Sequence, residues 1–458
     1  MTQSKRNPAH PRGNGHSVMG KLSRFAMRES RPSILAIYLA LIVTLAAGGF
    51  TGLLNRSELI PNSWIASLVA LIALPLVVPA SRRLKRASVR FRLRLLLFTA
   101  FTLSILSPFA PSMVDTQQHG IAVAFLAASF TGLLVSQVRI DLWFAAIRFA
   151  SQVAVFTSLP AALLLLTDET KSLVSTPVPP QPPFDFDFAF AGVYASPESL
   201  STLVALGLVL TFCKPVEKKF DLLMVPPMIL VLILGGSRIS QIGVIIALLI
   251  SVVLRALYGR GKLTVGLRWA IACIVVMSCL VMPMALVALA HLGFNPLVSS
   301  ALTGRLALWR FLTTNESQPW IDGNRGLGGL WEFLTGTEDT KEILRAGNDG
   351  WVAQSSHNGF LEAYVAGGLL ALLLFVVVLM LTMQPSVTAR QAVSLVPLAA
   401  FLVIRTVVEA EPPNPGIVLV LTTSIFFMEV GTWSSFPRDS RGPKTHAPVS
   451  EGNTSQCS

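Results

Sequence analysis

The chain has 458 residues, of which 52% are hydrophobic and only 13% are charged, and its mean hydropathy is +0.63. Soluble globular proteins are usually about one quarter charged, so this composition excludes that class and indicates a polytopic membrane protein. The formal net charge is +12. The four cysteines are too scattered to form the disulfide framework of a small secreted domain.

Twelve apolar runs lie along the chain, and most approach the roughly 20 residues that a helix needs to cross a bilayer. They fall at approximately 33–53, 62–80, 95–112, 120–137, 143–166, 199–213, 221–236, 239–257, 267–290, 359–382, 392–408 and 414–431. The sequence therefore predicts an all-α polytopic integral membrane protein with about 12 transmembrane helices. Because the first run is of full length, we expect a retained span rather than a cleaved signal peptide.

The lysines and arginines divide unequally between the two sets of connections. If the N-terminus is inside, the inner segments carry 26 of the 36 basic residues and the outer segments carry 8, while Arg148 and Arg405 fall within runs. This asymmetry satisfies the positive-inside rule and predicts that both termini are cytoplasmic. The basic segment 81–86 is the strongest inner anchor. It fits a topology signal that contacts anionic lipid better than a nucleic-acid site.

The predicted layout follows from these charges. A basic cytoplasmic tail (1–32) precedes spans one to nine (33–290), and spans ten to twelve (359–431) precede a second cytoplasmic tail (432–458). The largest outer segment, 291–358, is a loop in which we expect short amphipathic helices. A chain that is otherwise buried in lipid has placed its polar residues in this loop, so we expect the chemistry at the outer face.

A second long outer segment, 167–198, contains five prolines between 177 and 183, which favour an extended chain. Asp185 and Asp187 in this segment form an Asp-x-Asp pair, and paired hard oxygens suit a divalent metal. The strict alternation of phenylalanine with aspartate from 184 to 188 is more simply an interfacial segment with its aromatics in the membrane. We therefore predict no metal site.

The first candidate site is the turn 235–238, with the sequence Gly-Gly-Ser-Arg, which joins two runs at the outer face. The free N–H groups and the positive dipole end of the helix that follows favour an anion. Arg238 adds a planar fork of donors that suits phosphate oxygens, and Ser237 lies beside it. The alternative is an arginine that snorkels to the interface and anchors the turn.

The second candidate site is the segment 303–310. Leu302, Leu306 and Trp309 share one helical face, which predicts a short amphipathic helix on the outer leaflet with Trp309 at headgroup depth. Arg305 would then lie at the level of a lipid pyrophosphate. The alternative is an interfacial helix with ordinary arginines.

The third candidate site is His357, with Asn358 beside it, at the outer end of the run 359–382. In a straight helix, Gly368 lies within about 20° of the same face as His357. Gly367 and Gly368 would let another helix approach closely beneath the histidine. The alternative is a histidine that caps the helix or contacts lipid headgroups.

The charge asymmetry places all three constellations on the outer face independently of their motifs. Two arginines and one imidazole at a membrane surface suit the transfer of a glycan held on a polyprenyl pyrophosphate. The arginines would neutralise the leaving pyrophosphate, and the histidine would take the proton from an acceptor hydroxyl. Back-side attack by that hydroxyl would invert the anomeric centre.

Residues 236–238, 303–305 with the following Leu308-Trp309, and His357-Asn358 with Gly368-Leu369 resemble three motifs of the O-antigen ligase and polymerase family, over roughly 190–430. The resemblance implies an all-helical glycosyltransferase of the bacterial inner membrane, acting at the periplasmic face on undecaprenyl-pyrophosphate-linked donors without a metal or other cofactor. It implies that Arg238 and Arg305 bind the pyrophosphate, that Ser237 and Asn358 also contact the substrate, and that His357 is the base. The acceptor would be the lipid A core for a ligase or a second lipid-linked repeat for a polymerase.

The sequence departs from the family pattern at Glu198, where relatives commonly have asparagine, so the contact of this segment with the donor is open. The glycine–aromatic stretch 326–331 resembles exopolysaccharide polymerases of the family. The rival class is a flippase or transporter of an amphipathic substrate, which would place charges deep in its spans and often break its helices there. Arg148 and Arg405 lie within runs, and neither has an acidic partner in its own run.

Overall fold

The computed structural model describes residues 34–49, 62–77, 80, 88–106, 116–138, 140–181, 186–213, 219–289, 292, 309, 358–385, 388–407 and 416–428. Each of the predicted apolar runs contains a helix in this structure. The tails 1–32 and 432–458 and nearly all of the loop 291–358 lie outside the described residues, and so do His357, Arg305 and Asp185.

The elements follow one another in the order that the apolar runs predict. The helices before the β-hairpin are α1 (Ile34–Ala46), α2 (Asn62–Ala73), α3 (Val89–Leu106), α4 (Thr116–Ser136) and α5 (Ile140–Ala161). The hairpin segment holds α6 (Asp168–Val174), β1 (Ser175–Gln181) and β2 (Phe186–Phe190). The later helices are α7 (Pro197–Cys213), α8 (Lys219–Leu223), α9 (Val225–Leu234), α10 (Arg238–Gly259), α11 (Val265–Leu289), α12 (Gly359–Thr382), α13 (Ala389–Arg405) and α14 (Ile417–Phe426).

Four helical segments are long and apolar enough to cross a membrane, namely Ile140–Leu166, Arg238–Gly259, Val265–Leu289 and Gly359–Thr382. Seven shorter apolar helices accompany them in the described part of the chain. This content fits a polytopic membrane protein, whereas the predicted number of 12 spans stays a prediction.

Helix α10 shows why such a bundle needs lipid around it. One face carries small buried residues, Ser240, Gly243, Ala247 and Ser251. The other face exposes large apolar side chains, Ile242, Ile245, Leu249 and Val252. A Cβ added at Gly243 would lie 3.0 Å from the ring of Phe401 in α13, so the small face allows close helix packing. The exposed apolar face would be unfavourable in water and is suited to hydrocarbon.

Three helices form the centre of the bundle in the described part of the chain. Residues 200–211 of α7, 395–405 of α13 and 417–426 of α14 are buried throughout. Apolar side chains all round a helix indicate that protein surrounds it on every side. The C-terminal end of α13 is therefore an interior position, which matters for Arg405.

The segment 167–198 is an antiparallel hairpin preceded by a short helix. Strand β1 pairs with β2 in a register that aligns Ser175 with Phe190 and Pro177 with Phe188. The prediction of an extended chain is thus correct for 175–181, while Asp168–Val174 is helical. Pro182 and Pro183 lie outside the described residues. The end of β2 packs on the turn 235–238, because Ala189 and Phe190 lie against Gly236 and Gly235.

Side-chain and backbone hydrogen bonds join the helix ends in two groups. At one end, Ala195 N donates to the Gly48 carbonyl at 3.2 Å, and Gly359 N donates to the Thr406 carbonyl at 2.7 Å. We call this the site end, where α1 and α13 finish and α10 and α12 begin. The predicted alternation of spans puts these same helix ends on the outer side.

The opposite end is held together by basic and hydroxyl side chains. Arg94 donates to the carbonyls of Gln384 (2.9 Å) and Phe426. Arg148 pairs with Asp221 at 3.1 Å. The partner of Arg148 is thus on a different helix, 73 residues further along the chain. These contacts join helix ends that the charge pattern predicts to be cytoplasmic.

Reporter fusions test which of the two ends is periplasmic. Fusions after Arg86 and after Lys219 should report the cytoplasm, and fusions within 312–350 should report the periplasm, because basic residues concentrate in the predicted inner segments. Paired alkaline phosphatase and fluorescent-protein reporters at each point measure the side directly. A cytoplasmic position for 312–350 would contradict the assignment, since Arg305 and His357 would then lie on the wrong side.

Helix α12 is broken at Gly367 and Gly368, where the sequence predicts a straight helix. Gly367 has φ −142° and ψ 22°, and Gly368 has φ 68° and ψ −162°, neither of which is helical. The straight helix on which the predicted alignment of Gly368 with His357 depends is therefore wrong, and His357 itself lies outside the described residues. The predicted close approach is confirmed, because a Cβ at Gly367 would lie 2.2 Å from the Ser104 carbonyl oxygen of α3.

Candidate functional site

The turn between α9 and α10 brings its serine inside the protein. Gly236 has φ 66°, a conformation that side chains other than glycine rarely adopt. Ser237 is buried and Arg238 is half-buried at the first position of α10. The Ser237 side chain does not cap α10; its Oγ donates to Ser240 Oγ at 3.0 Å.

The end of α13 reaches this turn through Arg405. Its side chain is only 2% exposed, and its Nη1 donates to Ser237 Oγ at 3.2 Å. The two residues are 168 positions apart in the chain. A second arginine therefore contacts the residue that precedes Arg238 at the site end.

The start of α12 is tied to the same end of α13. Asn358 is fully buried, and its Oδ1 accepts from the N–H groups of Phe360 and Leu361, both at 3.0 Å. Its Nδ2 donates to the Val407 carbonyl at 2.7 Å. Asn358 is thus the N-cap of α12. These bonds give Asn358 a structural role. Its predicted contact with substrate stays a prediction.

Trp309 links the second motif segment to the third. Its side chain is fully buried with Val287 near the end of α11, and Leu286 and Leu361 pack against this pair. The indole is therefore inside the protein, and the predicted position of Trp309 among the lipid headgroups is wrong. Leu361 lies one turn into α12, so Trp309 comes close to the start of the histidine helix.

These contacts join the three motif segments. Ser237 and Arg238 begin α10, Asn358 begins α12, and Trp309 packs beside α12. His357 and Arg305 lie outside the described residues. Asn358, which follows His357 directly, and Trp309, four residues after Arg305, are both at this end of the bundle.

A comparison with known families matches the part of the chain that carries the three motif segments. Residues 223–376 match the family model described as O-antigen ligase. The resemblance to the O-antigen ligase family is confirmed. No match to the chain was found among curated proteins.

The O-antigen ligase match spans α9, α10, α11 and most of α12, and so contains all three motif segments described above. It lies within the range 190–430 that the motifs indicate. Together with the apolar helices, the match supports a membrane glycosyltransferase of the O-antigen ligase type. Helix α13 and its terminal Arg405 lie beyond the matched residues.

Two buried residues of the site were not among the predicted functional residues. Arg405 falls at the outer end of the predicted run 392–408, where a basic residue is usually assigned to the interface. Glu362, five residues after His357 in the sequence, is 1% exposed in the first turn of α12. The available signal for Arg405 was a charge inside an apolar run, which is uncommon unless it has a function.

Asp187 of the Asp-x-Asp pair is engaged by a lysine. Lys171 Nζ lies 2.8 Å and 3.0 Å from the two carboxylate oxygens and 4.9 Å from the centre of the Phe188 ring. The hydrogen bond from Lys171 lowers the pKa of Asp187, so the pair persists until the pH falls through that lowered value. Among the described residues, no group of three or more His, Cys, Asp or Glu side chains could hold a metal.

Glu198 lies in the first turn of α7, at the site end. It is half-buried, and its carbonyl accepts a hydrogen bond from Thr202 Oγ1 at 2.7 Å. The hairpin that precedes it packs on the turn 235–238. The carboxylate therefore belongs to the same end of the bundle as Arg238, where the family pattern has a neutral amide.

Proposed function

We propose that this protein moves a glycan from undecaprenyl pyrophosphate to a saccharide hydroxyl at the periplasmic face of the bacterial inner membrane. The observation that carries the proposal is the meeting of Ser237, Arg405 and Asn358 at one end of the bundle. Arg238 follows the first of these residues in sequence, and His357 precedes the last. Two motif segments that are distant in sequence thus serve one site.

Departure of the pyrophosphate is the step that needs the arginines. As the bond between the anomeric carbon and the phosphate oxygen breaks, negative charge develops on the leaving group. Arg238, at the positive end of α10, and Arg305 would hold this charge through bidentate hydrogen bonds. Donors that are fixed in place before reaction stabilise such charge most effectively.

Activation of the acceptor is the step that needs the histidine. The neutral imidazole of His357 would accept the proton of the acceptor hydroxyl while its oxygen attacks the anomeric carbon. The new glycosidic bond forms on the face opposite the pyrophosphate, so the anomeric centre inverts. The Asn358 cap fixes the start of α12 and thereby the chain on which His357 stands.

The membrane helices suit a donor whose lipid stays in the bilayer. The lipid-facing side of α10 exposes large apolar side chains immediately below the turn 235–238. A polyprenyl tail can lie against such a surface while its pyrophosphate reaches the helix start. The partners are thus the lipid-linked donor, the saccharide acceptor and membrane lipids, with no role for nucleic acid.

The alternative is a flippase or transporter, and one observation favours it. Helix α12 is broken at Gly367 and Gly368 within an apolar run, as helices of transporters often are. The pair of half-buried Arg148 and buried Asp221 adds charges to the opposite half of the bundle. A transporter would move its lipid-linked substrate across the bilayer without forming a new glycosidic bond.

Transfer by the purified protein separates the two functions. In liposomes supplied with an undecaprenyl-pyrophosphate-linked repeat, the protein should form a new glycosidic bond, with either the lipid A core or a second repeat as acceptor. EDTA should leave the rate unchanged, because the proposed step uses no metal. Movement of the donor across the bilayer without transfer would identify a transporter. Which acceptor is consumed decides between ligase and polymerase.

A further inference from the structure

We propose that Arg405 is a positioning residue that fixes the pyrophosphate-binding turn and the histidine end of α12 relative to each other. This inference rests on the proposed function. It assigns a role to a residue outside the matched family segment and outside the three motifs.

The burial of Arg405 is the first observation. A guanidinium that is 2% exposed has lost most of its water, which is costly unless protein groups replace it. The preceding residues of α13, from Leu398 to Ile404, are apolar and fill the centre of the bundle. A leucine would satisfy packing here, so packing alone does not explain a charge at this position.

The contacts on either side of Arg405 are the second observation. Its side chain donates to Ser237 Oγ, next to Arg238. The carbonyls of the two following residues, Thr406 and Val407, accept from Gly359 N and Asn358 Nδ2, each at 2.7 Å. Three consecutive residues therefore touch both the turn before α10 and the cap of α12.

The stretch 405–407 is itself held by short-range bonds. Thr406 N and Oγ1 both donate to the Val403 carbonyl, at 3.1 and 2.7 Å, and Val407 N donates to the Ile404 carbonyl at 3.1 Å. A rigid helix end can transmit the position of one motif to the other. This coupling matters because the base and the leaving group must face opposite sides of the anomeric carbon. An error of about 1 Å in such an arrangement can slow the reaction by about 100-fold.

The test compares Arg405→Lys with Arg94→Lys. Arg94 is the matched control, because it is also a buried arginine that joins helices through hydrogen bonds. Its acceptors are backbone carbonyls at the opposite end of the bundle. In Arg405→Lys, kcat per folded enzyme should fall by about 10- to 100-fold, while the donor KM stays within about threefold. In Arg94→Lys, kcat per folded enzyme should stay within about twofold of the wild type.

A double-mutant cycle with Ser237→Ala tests whether the effect of Arg405 on kcat depends on its hydrogen bond to Ser237. If Arg405 acts through Ser237 Oγ, the double variant should be no slower than the slower single variant. Multiplication of the two effects would overturn this route, as would a donor KM raised more than tenfold at unchanged kcat, which indicates direct donor binding. An unchanged kcat with a lowered melting temperature would show that Arg405 is only structural.

Amide hydrogen exchange tests the bridge without relying on transfer. Exchange in 358–362 should be faster in Arg405→Lys than in wild type and unchanged in Arg94→Lys, because only Arg405 lies beside the α12 cap. Equal exchange in all three proteins would overturn the positioning role. If wild-type protein transfers no glycan, the proposed function fails, while the exchange result still decides whether Arg405 couples the two segments.

Discussion

Replacing Arg238 or Arg305 with alanine should nearly abolish glycan transfer while leaving the protein in the membrane. Each arginine is proposed to neutralise charge that develops on the leaving pyrophosphate, and removing one such donor typically costs about 10²–10³-fold in kcat. The measurement is the rate of transfer from an undecaprenyl-pyrophosphate-linked donor, normalised to the folded protein in the membrane.

The lysine variants and a control arginine sharpen this test. Arg238→Lys and Arg305→Lys should recover only part of the rate, because an ammonium lacks the planar fork that binds two phosphate oxygens. Arg260 is the matched control, since it is exposed at the other end of α10. Arg260→Ala should transfer at the wild-type rate. Full activity of Arg305→Ala would mean that the segment 303–310 is an ordinary interfacial helix.

Replacing His357 with alanine should slow transfer by about 10²–10⁴-fold without weakening donor binding. The separation follows from the proposed roles, because the arginines hold the pyrophosphate and the histidine handles only the acceptor proton. A neutral imidazole with an ordinary pKa of about 6.5 can act as a base at periplasmic pH. The wild-type rate should therefore fall in acid, since the protonated ring cannot accept a proton.

Single-turnover transfer at matched donor occupancy measures the effect of His357 on chemistry alone. His291→Ala is the control, because His291 begins the same predicted outer loop. An unchanged single-turnover rate in His357→Ala would remove the histidine as base. The carboxylates Glu198, Glu362 and Glu409 would then be tested. Glu362 would come first, because it is buried one turn after Asn358.

The residue pattern was sufficient for the class of protein and for the positions of its helices. Apolar runs of about 20 residues have few alternatives to a helix in lipid, because every backbone polar group must be bonded within the segment. The helices begin and end within several residues of the predicted limits, as at Arg238–Gly259 and Gly359–Thr382. The motif residues were also sufficient to indicate the family, which the match over 223–376 confirms.

The interior of α12 could not be predicted from the same pattern. Hydropathy and periodicity are satisfied by a straight helix through Gly367 and Gly368. The break becomes favourable only because the α3 backbone passes within contact distance of Gly367 and because glycine tolerates a positive φ. Both conditions depend on the neighbouring helix, which the local sequence does not contain.

The sequence by itself determined which charged residues lie at the ends of membrane helices, because composition and the order of apolar runs decide which segments can be buried in lipid. Only the tertiary structure decided which side chains these charged residues contact. Arg148 finds Asp221 on another helix, and Arg405 reaches Ser237 across 168 residues. Such pairings are fixed by the packing of small faces, as at Gly243 against Phe401, and no local pattern encodes which helices will pack. The sequence therefore predicts the motif residues of the site end, and the fold decides which other residues, such as Arg405, contact them.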